Sequence, residues 1–156
     1  VQRHLTIPHK FIIYTEHTKM QKLVKGDNVE VRKIPFHDYQ GWWNKLTLFS
    51  PEANLKGDSL YFDLDVVITD NIDCFFTHEP NMDFVGMNDF NPASGVWNSS
   101  IMKFKQANLH GRIWHKFMTD RRNCLRRFRG DQNLISDFLL NTQEKQIKLL
   151  QLMKYP

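Results

Sequence analysis

Apolar and polar positions along the chain follow strand-like and helix-like periods in turn. The runs "KFIIYTE" (10–16) and "SLYFDLDVVI" (59–68) are apolar and rich in β-branched residues, which predicts buried strands. The run "VEVRKIP" (29–35) alternates and predicts a more exposed strand. The segments "DFVGMND" and "SSIMKFK" predict two further strands.

Helical spacing appears between and after these strands. In "GWWNKLTLFSPE", Trp42, Leu46 and Phe49 fall at i, i+4 and i+7, so we expect one helical face, ended by Ser50-Pro51. "HGRIWHKFMTD" and "GDQNLISDFLLN" predict two more helices, the second with Asp131 in its first turn, where an acid suits the positive helix end. Strands alternating with helices predict a three-layer α/β domain.

Two acids interrupt the most apolar strand. Asp63 and Asp65 stand in "YFDLDVVITDN", in the later half of the predicted strand or just past it. Side chains two apart on a strand point the same way, so the carboxylates would repel each other unless a cation sits beside them. Hard oxygen ligands favour Mg²⁺ or Mn²⁺, commonly with a bound phosphate. The alternative is a surface strand end with two solvated acids.

Composition limits the classes of protein. The chain has 156 residues, 41% hydrophobic and 13% aromatic, which suits one domain with a core and excludes a disordered chain. A net charge of +4 permits anionic partners but selects none. The cysteines, Cys74 and Cys124, form no CxxC pair and fit a reducing, cytoplasmic compartment, although one disulfide stays open. No apolar run is long enough to span a bilayer, so we expect no transmembrane segment, and peripheral membrane contact stays open.

One resemblance is to the haloacid-dehalogenase-like phosphatases, which place D-x-D after an apolar strand. It implies that Asp63 is a phosphorylated nucleophile and Asp65 a general acid. Three features depart from that family. Val66 replaces the usual small residue, the acids of "GDQNLISD" are spaced too widely, and two strands and a helix precede the motif.

A broader resemblance is to nucleotide-sugar-dependent glycosyltransferases of the GT-A fold, of a bacterial and phage type related to the family 8-like group. Five segments carry it in order: "GWWNKLTLFSPE", "GDSLYFDLDVVITDNIDCFF", "FVGMNDF", "WNSSIMKF" and "RGDQNLIS". They resemble the family's W-x-K-L-x-L-F helix, its Y-L/F-D-L-D strand with a D-x-D-x-L/F-F turn, the next strand, F-N-S-G-V-M and the R-G-D-Q helix start. The resemblance implies a GT-A three-layer α/β/α sandwich with a mixed sheet.

That resemblance assigns the donor site. Asp63 and Asp65 would hold Mn²⁺ or Mg²⁺ against the diphosphate of the nucleotide-sugar, a UDP-sugar first of all, with Asp63 also reaching the ribose. Lys45 matches a basic residue facing the donor, and Asp89 and Asn98 match residues near the hydroxyls of the transferred sugar. Alternatively, Lys45 is a solvated lysine, and Asp89 and Asn98 cap turns.

The resemblance also assigns the reacting end. Asp131 and Gln132 match a pair beside the reacting carbon, although Asp131 could simply cap its helix. Retention or inversion of configuration stays open, because a retaining route needs no strong base, whereas an inverting one would need Asp131. We interpret Trp42 and Trp43 as core residues rather than a sugar-stacking platform. The arginines of 121–129 indicate a solvated face or an attraction for an anionic acceptor.

Two parts of the family pattern are missing, the first nucleotide-binding strand and a C-terminal histidine that completes the metal site. We therefore expect 1–156 to be one domain truncated at both ends, with weak donor binding and little activity alone. The expected reaction is sugar transfer to a hydroxyl of a glycan or other acceptor, in carbohydrate biosynthesis. The alternatives are the phosphatase, a catalytically inactive fragment, and a basic nucleic-acid-binding module, which lacks the expected aromatic-basic interleaving.

Overall fold

A computed structural model gives the structure of the chain and describes most of its length. Side chains are not described for Met20, Gln21, Pro92, 108–110 and 147–150. The described residues are 1–17, 19–24, 26–35, 39, 41–105, 108–141 and 147–150.

The first sheet is a parallel pair near the start of the chain. β1 (Phe11–Thr15) lies beside β2 (Val29–Lys33), and the short helix α1 (Met20–Leu23) falls between them in sequence. Both strands were predicted, but β1 is only partly buried, with Phe11 39% exposed, and not buried as expected; β2 is partly buried as well. Tyr14 of β1 packs against the main core, which joins this pair to the rest of the chain.

The second sheet has four strands in the order β3-β5-β4-β6. β3 (Asp58–Phe62) and β4 (Phe84–Asn88) each pair antiparallel with the long central strand β5 (Trp97–Lys105). β6 (Ile147–Leu150) runs parallel to β4, so the sheet is mixed. The predicted strands "DFVGMND" and "SSIMKFK" are confirmed by β4 and β5.

Four more helices and three 3₁₀ segments complete the described chain. α3 and α5 confirm the two predicted helices, and Asp131 opens α5 as expected. No helix in the described part of the chain is long and apolar enough to cross a membrane. The bounds are α2 (Cys74–Thr77), α3 (Asn108–Thr119), α4 (Arg121–Arg127) and α5 (Asp131–Asn141), with 3₁₀ segments Gly41–Phe49, Pro51–Ala53 and Pro92–Ser94.

The core lies where β5, α3 and α5 pack around the 3₁₀ segment Gly41–Phe49. Its most deeply buried side chains are aromatic and aliphatic and come from all four elements. Burying such side chains is the main favourable term in folding, at about 1.5–3 kcal/mol for each large one. They include Leu46, Phe49, Met102, Phe104, Ile113, Phe117, Leu134 and Ile135.

The predicted α-helix at 42–49 is a 3₁₀ helix instead. With three residues per turn, side chains at i and i+3 line up, so Trp43, Leu46 and Phe49 form one ridge. That ridge faces the core, and the Trp43 ring stacks on Phe117 with 5.7 Å between ring centroids. The predicted ridge of Trp42, Leu46 and Phe49 is therefore wrong at Trp42.

The predicted strand 59–68 ends early. β3 stops at Phe62; the Asp63 amide makes one more bond, donating to the Ser100 carbonyl at 2.8 Å. The chain then turns, because the Val66 amide donates to the Asp63 carbonyl at 3.1 Å, and Leu64 is fully exposed. The two acids thus lie in a turn just past the strand, which relieves the charge burial that a continuing strand would impose.

Candidate functional site

Several elements meet at one edge of the second sheet. β3 ends there, the antiparallel β5 starts there, and α5 starts beside them, since Lys45 contacts both Asp63 and Asp131. Polar side chains of all three elements surround the Lys45 ammonium. We call this group the Lys45 cluster, and its members are Lys45, Tyr61, Asp63, Ser99 and Asp131.

A bulge in β5 shapes the cluster. Gly86 pairs with Met102, but the next residue of β4, Met87, pairs with Asn98, so Ser99, Ser100 and Ile101 have no partner of their own on β4. Bulges re-aim side chains and are common beside functional sites. Here the bulge lies next to Asp63 and lets both the carbonyl and the hydroxyl of Ser99 reach Lys45, at 3.2 and 3.0 Å.

Lys45 joins two carboxylates that are far apart in the chain. Its Nζ lies 3.0 Å from Asp63 Oδ1 and 3.3 Å from Asp131 Oδ2, and its side chain is only 7% exposed. The ammonium also lies 5.3 Å from the centroid of the Tyr61 ring, within cation–π range. The solvated lysine considered as an alternative is therefore wrong.

Asp63 is held as a carboxylate by three donors. Burial alone would raise its pKa, but hydrogen bonds from Tyr61, Lys45 and Ser100 outweigh burial, so the pKa of Asp63 lies below its ordinary value. The Tyr61 hydroxyl donates to Oδ1 at 2.5 Å. Burial first, and then the charge of Asp63, raise the pKa of Tyr61 well above its usual range, so the phenol stays a donor.

Asp131 and Gln132 both contact the β5 bulge. The Ser99 hydroxyl donates to Asp131 Oδ2 at 2.9 Å, and the Ser99 amide donates to Gln132 Oε1 at 3.2 Å. The Asp131 side chain is 5% exposed. The prediction that Asp131 and Gln132 lie near the D-x-D motif is thus consistent with the geometry, since one ammonium touches both Asp63 and Asp131.

Asp65 differs from the members of the cluster. It is exposed in the turn after β3 and has no hydrogen-bond or ion-pair partner among the residues that the structure describes. Its charge nevertheless acts on the pKa of Tyr61, as does the charge of Asp131, which puts both carboxylates in the neighbourhood of that phenol. Of the three carboxylates Asp63, Asp65 and Asp131, Asp65 is therefore the most accessible to an added ligand.

The resemblance also put Asp89 and Asn98 in the donor site. In the structure, both side chains accept hydrogen bonds from residues close to them in sequence. Asn98 Oδ1 accepts from the Ser100 amide at 2.8 Å. Asp89 accepts from the Phe90 amide at 2.9 Å and from the Ser94 hydroxyl at 3.0 Å. These are the turn-capping contacts considered as the alternative. Among the described residues, neither side chain has a hydrogen bond or ion pair with the Lys45 cluster.

Sequence reasoning missed Ser99 and Tyr61. Ser99 is buried and links Lys45 to Asp131, and the signal for it was a polar "NSS" at the start of an otherwise apolar strand. Tyr61 precedes Asp63 by two residues, and that spacing alone puts both side chains on one side of the strand. Either residue could have been found by asking which neighbours satisfy the buried charges.

The tryptophans divide into two groups. Trp97 and Trp114 are buried and Trp43 packs on the core, but Trp42 is 66% exposed, which corrects its assignment to the core. Its indole Nε1 donates to the Arg129 carbonyl at 3.4 Å. The arginines before Gly130 are mostly exposed, as expected for a solvated face.

Metal ligands can be judged from the donor set. Within the described ranges, no three His, Cys, Asp or Glu side chains form a group that could hold a metal ion. Mg²⁺ and Mn²⁺ sites often use only one or two carboxylates together with phosphates and water. Asp65, with Asp63 beside it, fits that kind of site, whereas a site made wholly of protein ligands does not fit.

Comparisons with known proteins add no assignment. No protein-family model matches the chain, and no curated protein matches it significantly. The GT-A resemblance and the phosphatase alternative therefore both stay predictions, to be weighed on the geometry of the site.

Proposed function

We propose that this chain is part of a GT-A-type glycosyltransferase, which moves a sugar from a nucleotide-sugar to a hydroxyl of an acceptor with the help of a divalent cation. One observation carries the proposal: the Lys45 ammonium touches both Asp63, just after β3, and Asp131, at the start of α5. The D-x-D turn and the "GDQ" helix start, widely separated in sequence, thereby form one site.

The charge of the site supports a cationic cofactor. Two carboxylates of the cluster face one ammonium, and Asp65 adds a third negative charge beside them. A divalent cation, when bound, would offset charge on the departing nucleoside diphosphate. Asp65 and Asp63 are the residues that would hold it, and Mn²⁺ or Mg²⁺ matches their oxygen donors.

Lys45 has a different task in this proposal from the one that the resemblance implied. An ammonium that is 7% exposed and surrounded by two carboxylates and Ser99 is poorly placed to bind a phosphate directly. Its role is to hold Asp63 and Asp131 at a fixed separation. Lys45 is therefore a positioning residue, and fixed geometry of this kind is a large part of catalysis.

The environment of Asp131 favours a retaining route. Its Oδ2 is bound by both Lys45 and Ser99, and its side chain is 5% exposed. A general base of an inverting reaction must reach the proton of an incoming hydroxyl. Asp131 and Gln132 are better suited to anchoring the helix start beside the reacting carbon, and a retaining route needs no strong base.

The fold supports the same proposal in outline. A mixed sheet carries an acidic turn at the end of one strand and α5 packs on it, which is one part of the three-layer α/β/α sandwich that GT-A enzymes have. The phosphatase alternative has less support, because Asp137, its second late acid, pairs with Lys116 and Arg127, each at 3.2 Å, and not with the cluster.

The test is hydrolysis of a panel of nucleotide-sugars in the presence and absence of Mn²⁺, on the chain and on a version extended at both ends. We expect Mn²⁺-dependent release of nucleoside diphosphate, with a UDP-sugar first. Asp65→Ala should abolish it without changing the fold, because Asp65 is exposed. The matched control is Asp70→Ala, an exposed acid in the same loop. Hydrolysis that survives Asp65→Ala would rule out the metal role.

A further inference from the structure

Trp42 is an exposed aromatic residue that the structure holds in a fixed position. Its side chain is 66% exposed, yet its indole Nε1 donates to the Arg129 carbonyl at 3.4 Å. The ring also lies against the backbone of Gly130, because a Cβ added there would come within 2.7 Å of Trp42 Nε1 and 2.8 Å of its Cδ1. Gly130 is therefore the residue that admits the indole at this position.

Two independent neighbours bring Trp42 to the edge of the Lys45 cluster. In the 3₁₀ segment Gly41–Phe49, residues three apart line up, so Trp42 lies on the same ridge as Lys45, one turn earlier. Its contact with Gly130 puts it directly before Asp131. The exposed ring thus lies one helical turn before Lys45 and against the residue that precedes Asp131.

We propose that Trp42 is the aromatic platform of an acceptor subsite and binds the apolar face of a pyranose ring. A sugar combines a flat C–H face, which an exposed indole can cover, with hydroxyls, which can donate to carboxylate oxygens at the rim of the site, where the Asp63 side chain is 25% exposed. This inference rests on the proposed function and names the acceptor class as a carbohydrate.

The position of Trp42 separates it from the donor-binding residues. The acids predicted to hold the cation and diphosphate follow β3, whereas Trp42 contacts the residues just before α5, Arg129 and Gly130. A sugar on Trp42 therefore approaches from the Asp131 side. Trp42 would select acceptors that have an uninterrupted apolar ring face.

The experiment follows the indole N–H resonance of Trp42 in ¹⁵N-labelled protein, assigned by its loss in Trp42→Phe. Methyl β-glucopyranoside, methyl β-galactopyranoside and N-acetylglucosamine are titrated without nucleotide or metal. We expect a saturable shift with at least one of them. In Trp42→Ala the affinity for that glycoside, measured by calorimetry, should fall about tenfold. Phe11→Ala, which removes a partly exposed aromatic from the first sheet, should leave it unchanged.

Gly130→Ala provides a second variant that keeps the tryptophan. Its new Cβ should displace the indole and weaken glycoside binding as Trp42→Ala does, with the fold checked by circular dichroism. Unchanged glycoside binding in a folded Gly130→Ala whose Trp42 resonance has moved would overturn the inference.

Two other outcomes would also overturn it. A resonance that responds to UDP and to none of the glycosides would make Trp42 a base-stacking residue, and the proposed function would stand. No saturable shift with any probe would remove the subsite. A glycoside-dependent shift together with hydrolysis that is unaffected by Asp65→Ala would support the sugar site and contradict the metal-dependent transferase. Failure of the sugar site and failure of the proposed function therefore give different results.

Discussion

Two clusters in this chain each have a central cationic side chain, Arg32 or Lys45, close to a tyrosine. They differ in charge balance and in burial. In the first, Arg32 of β2 binds Glu30 at 2.7 Å, and its Nη1 donates to the Ala53 and Asn54 carbonyls at 2.8 and 3.0 Å. Tyr14 donates to the same Ala53 carbonyl at 2.5 Å. This cluster fastens the first sheet to the 3₁₀ segment Pro51–Ala53.

The Lys45 cluster has the opposite balance. Glu30 is 38% exposed and has two cationic neighbours, Lys10 and Arg32, whereas Lys45 is 7% exposed and must serve two carboxylates. Buried charges are costly unless they are paired. A cluster that only joins two segments needs no excess of carboxylates over cations. A cation-binding site does need that excess. The first cluster has more cations than carboxylates and joins two segments, whereas the second has more carboxylates than cations, as the proposed cation site requires.

The substitution Lys45→Met should have the largest effect on the free energy of unfolding. It leaves Asp63 and Asp131 without their shared cation in a largely buried place, so we expect a loss of about 3–5 kcal/mol in the free energy of unfolding. Urea denaturation measures it. Arg32→Met is the matched control and should cost less, about 1–3 kcal/mol, because the Glu30 side chain is 38% exposed and Tyr14 still donates to the buried Ala53 carbonyl. Equal losses in the two variants would contradict the distinction between the clusters.

Tyr61→Phe should have an intermediate effect that depends on pH. The Tyr61 hydroxyl helps to hold the folded-state pKa of Asp63 below its unfolded value of 3.8, so its stabilisation is present above that pH and is lost as the pH falls through the folded pKa. Removing a hydrogen bond to a charged group costs about 1.5–3 kcal/mol. Unfolding free energies of both proteins, from neutral pH to below 3.8, measure the difference.

At neutral pH the variant should be the weaker protein, and the gap should narrow in acid as Asp63 becomes protonated. A gap that is constant across the whole pH range would mean that Tyr61 acts by packing alone.

Glu30→Gln should have the smallest effect. The hydrogen bond from Arg32, followed by that from Lys10, lowers the pKa of Glu30 from 4.5 to about 2. Its stabilisation is therefore present above pH 4.5 and is lost as the pH falls toward 2. The pair is accessible to solvent, so added salt should shrink the difference between wild type and variant. Thermal unfolding at low and high ionic strength checks this, and a salt-independent difference would argue against an exposed pair.

The sequence predicted most elements but not how they meet. Apolar runs were enough to find β4 and β5, and helical spacing was enough to find α3 and α5. The exposure of Trp42 was missed because an α-helix and a 3₁₀ helix group different residues. The first puts Trp42 with Leu46 and Phe49, and the second puts it with Lys45. Short apolar segments do not distinguish the two.

Only some residues of the candidate site could be predicted, because the others depend on how the elements meet. The D-x-D pair stood out because charge is unfavourable in an apolar strand, and "GDQ" stood out through a resemblance. Ser99 did not, because its role depends on a bulge that changes the register of β5 against β4. Asp89 and Asn98 were assigned by analogy, and that assignment stays a prediction; local amides and the Ser94 hydroxyl bind their oxygens in this structure.

We propose above all that Asp65 and Asp63, beside the Lys45 cluster, hold a divalent cation. The most direct measurement is titration of Mn²⁺ into the protein with and without UDP, followed by the loss of the free Mn²⁺ signal in electron paramagnetic resonance. We predict binding that UDP strengthens and that Asp65→Ala removes, while Asp70→Ala leaves it intact. Mn²⁺ binding that is equal in wild type and Asp65→Ala, with UDP present, would contradict the claim.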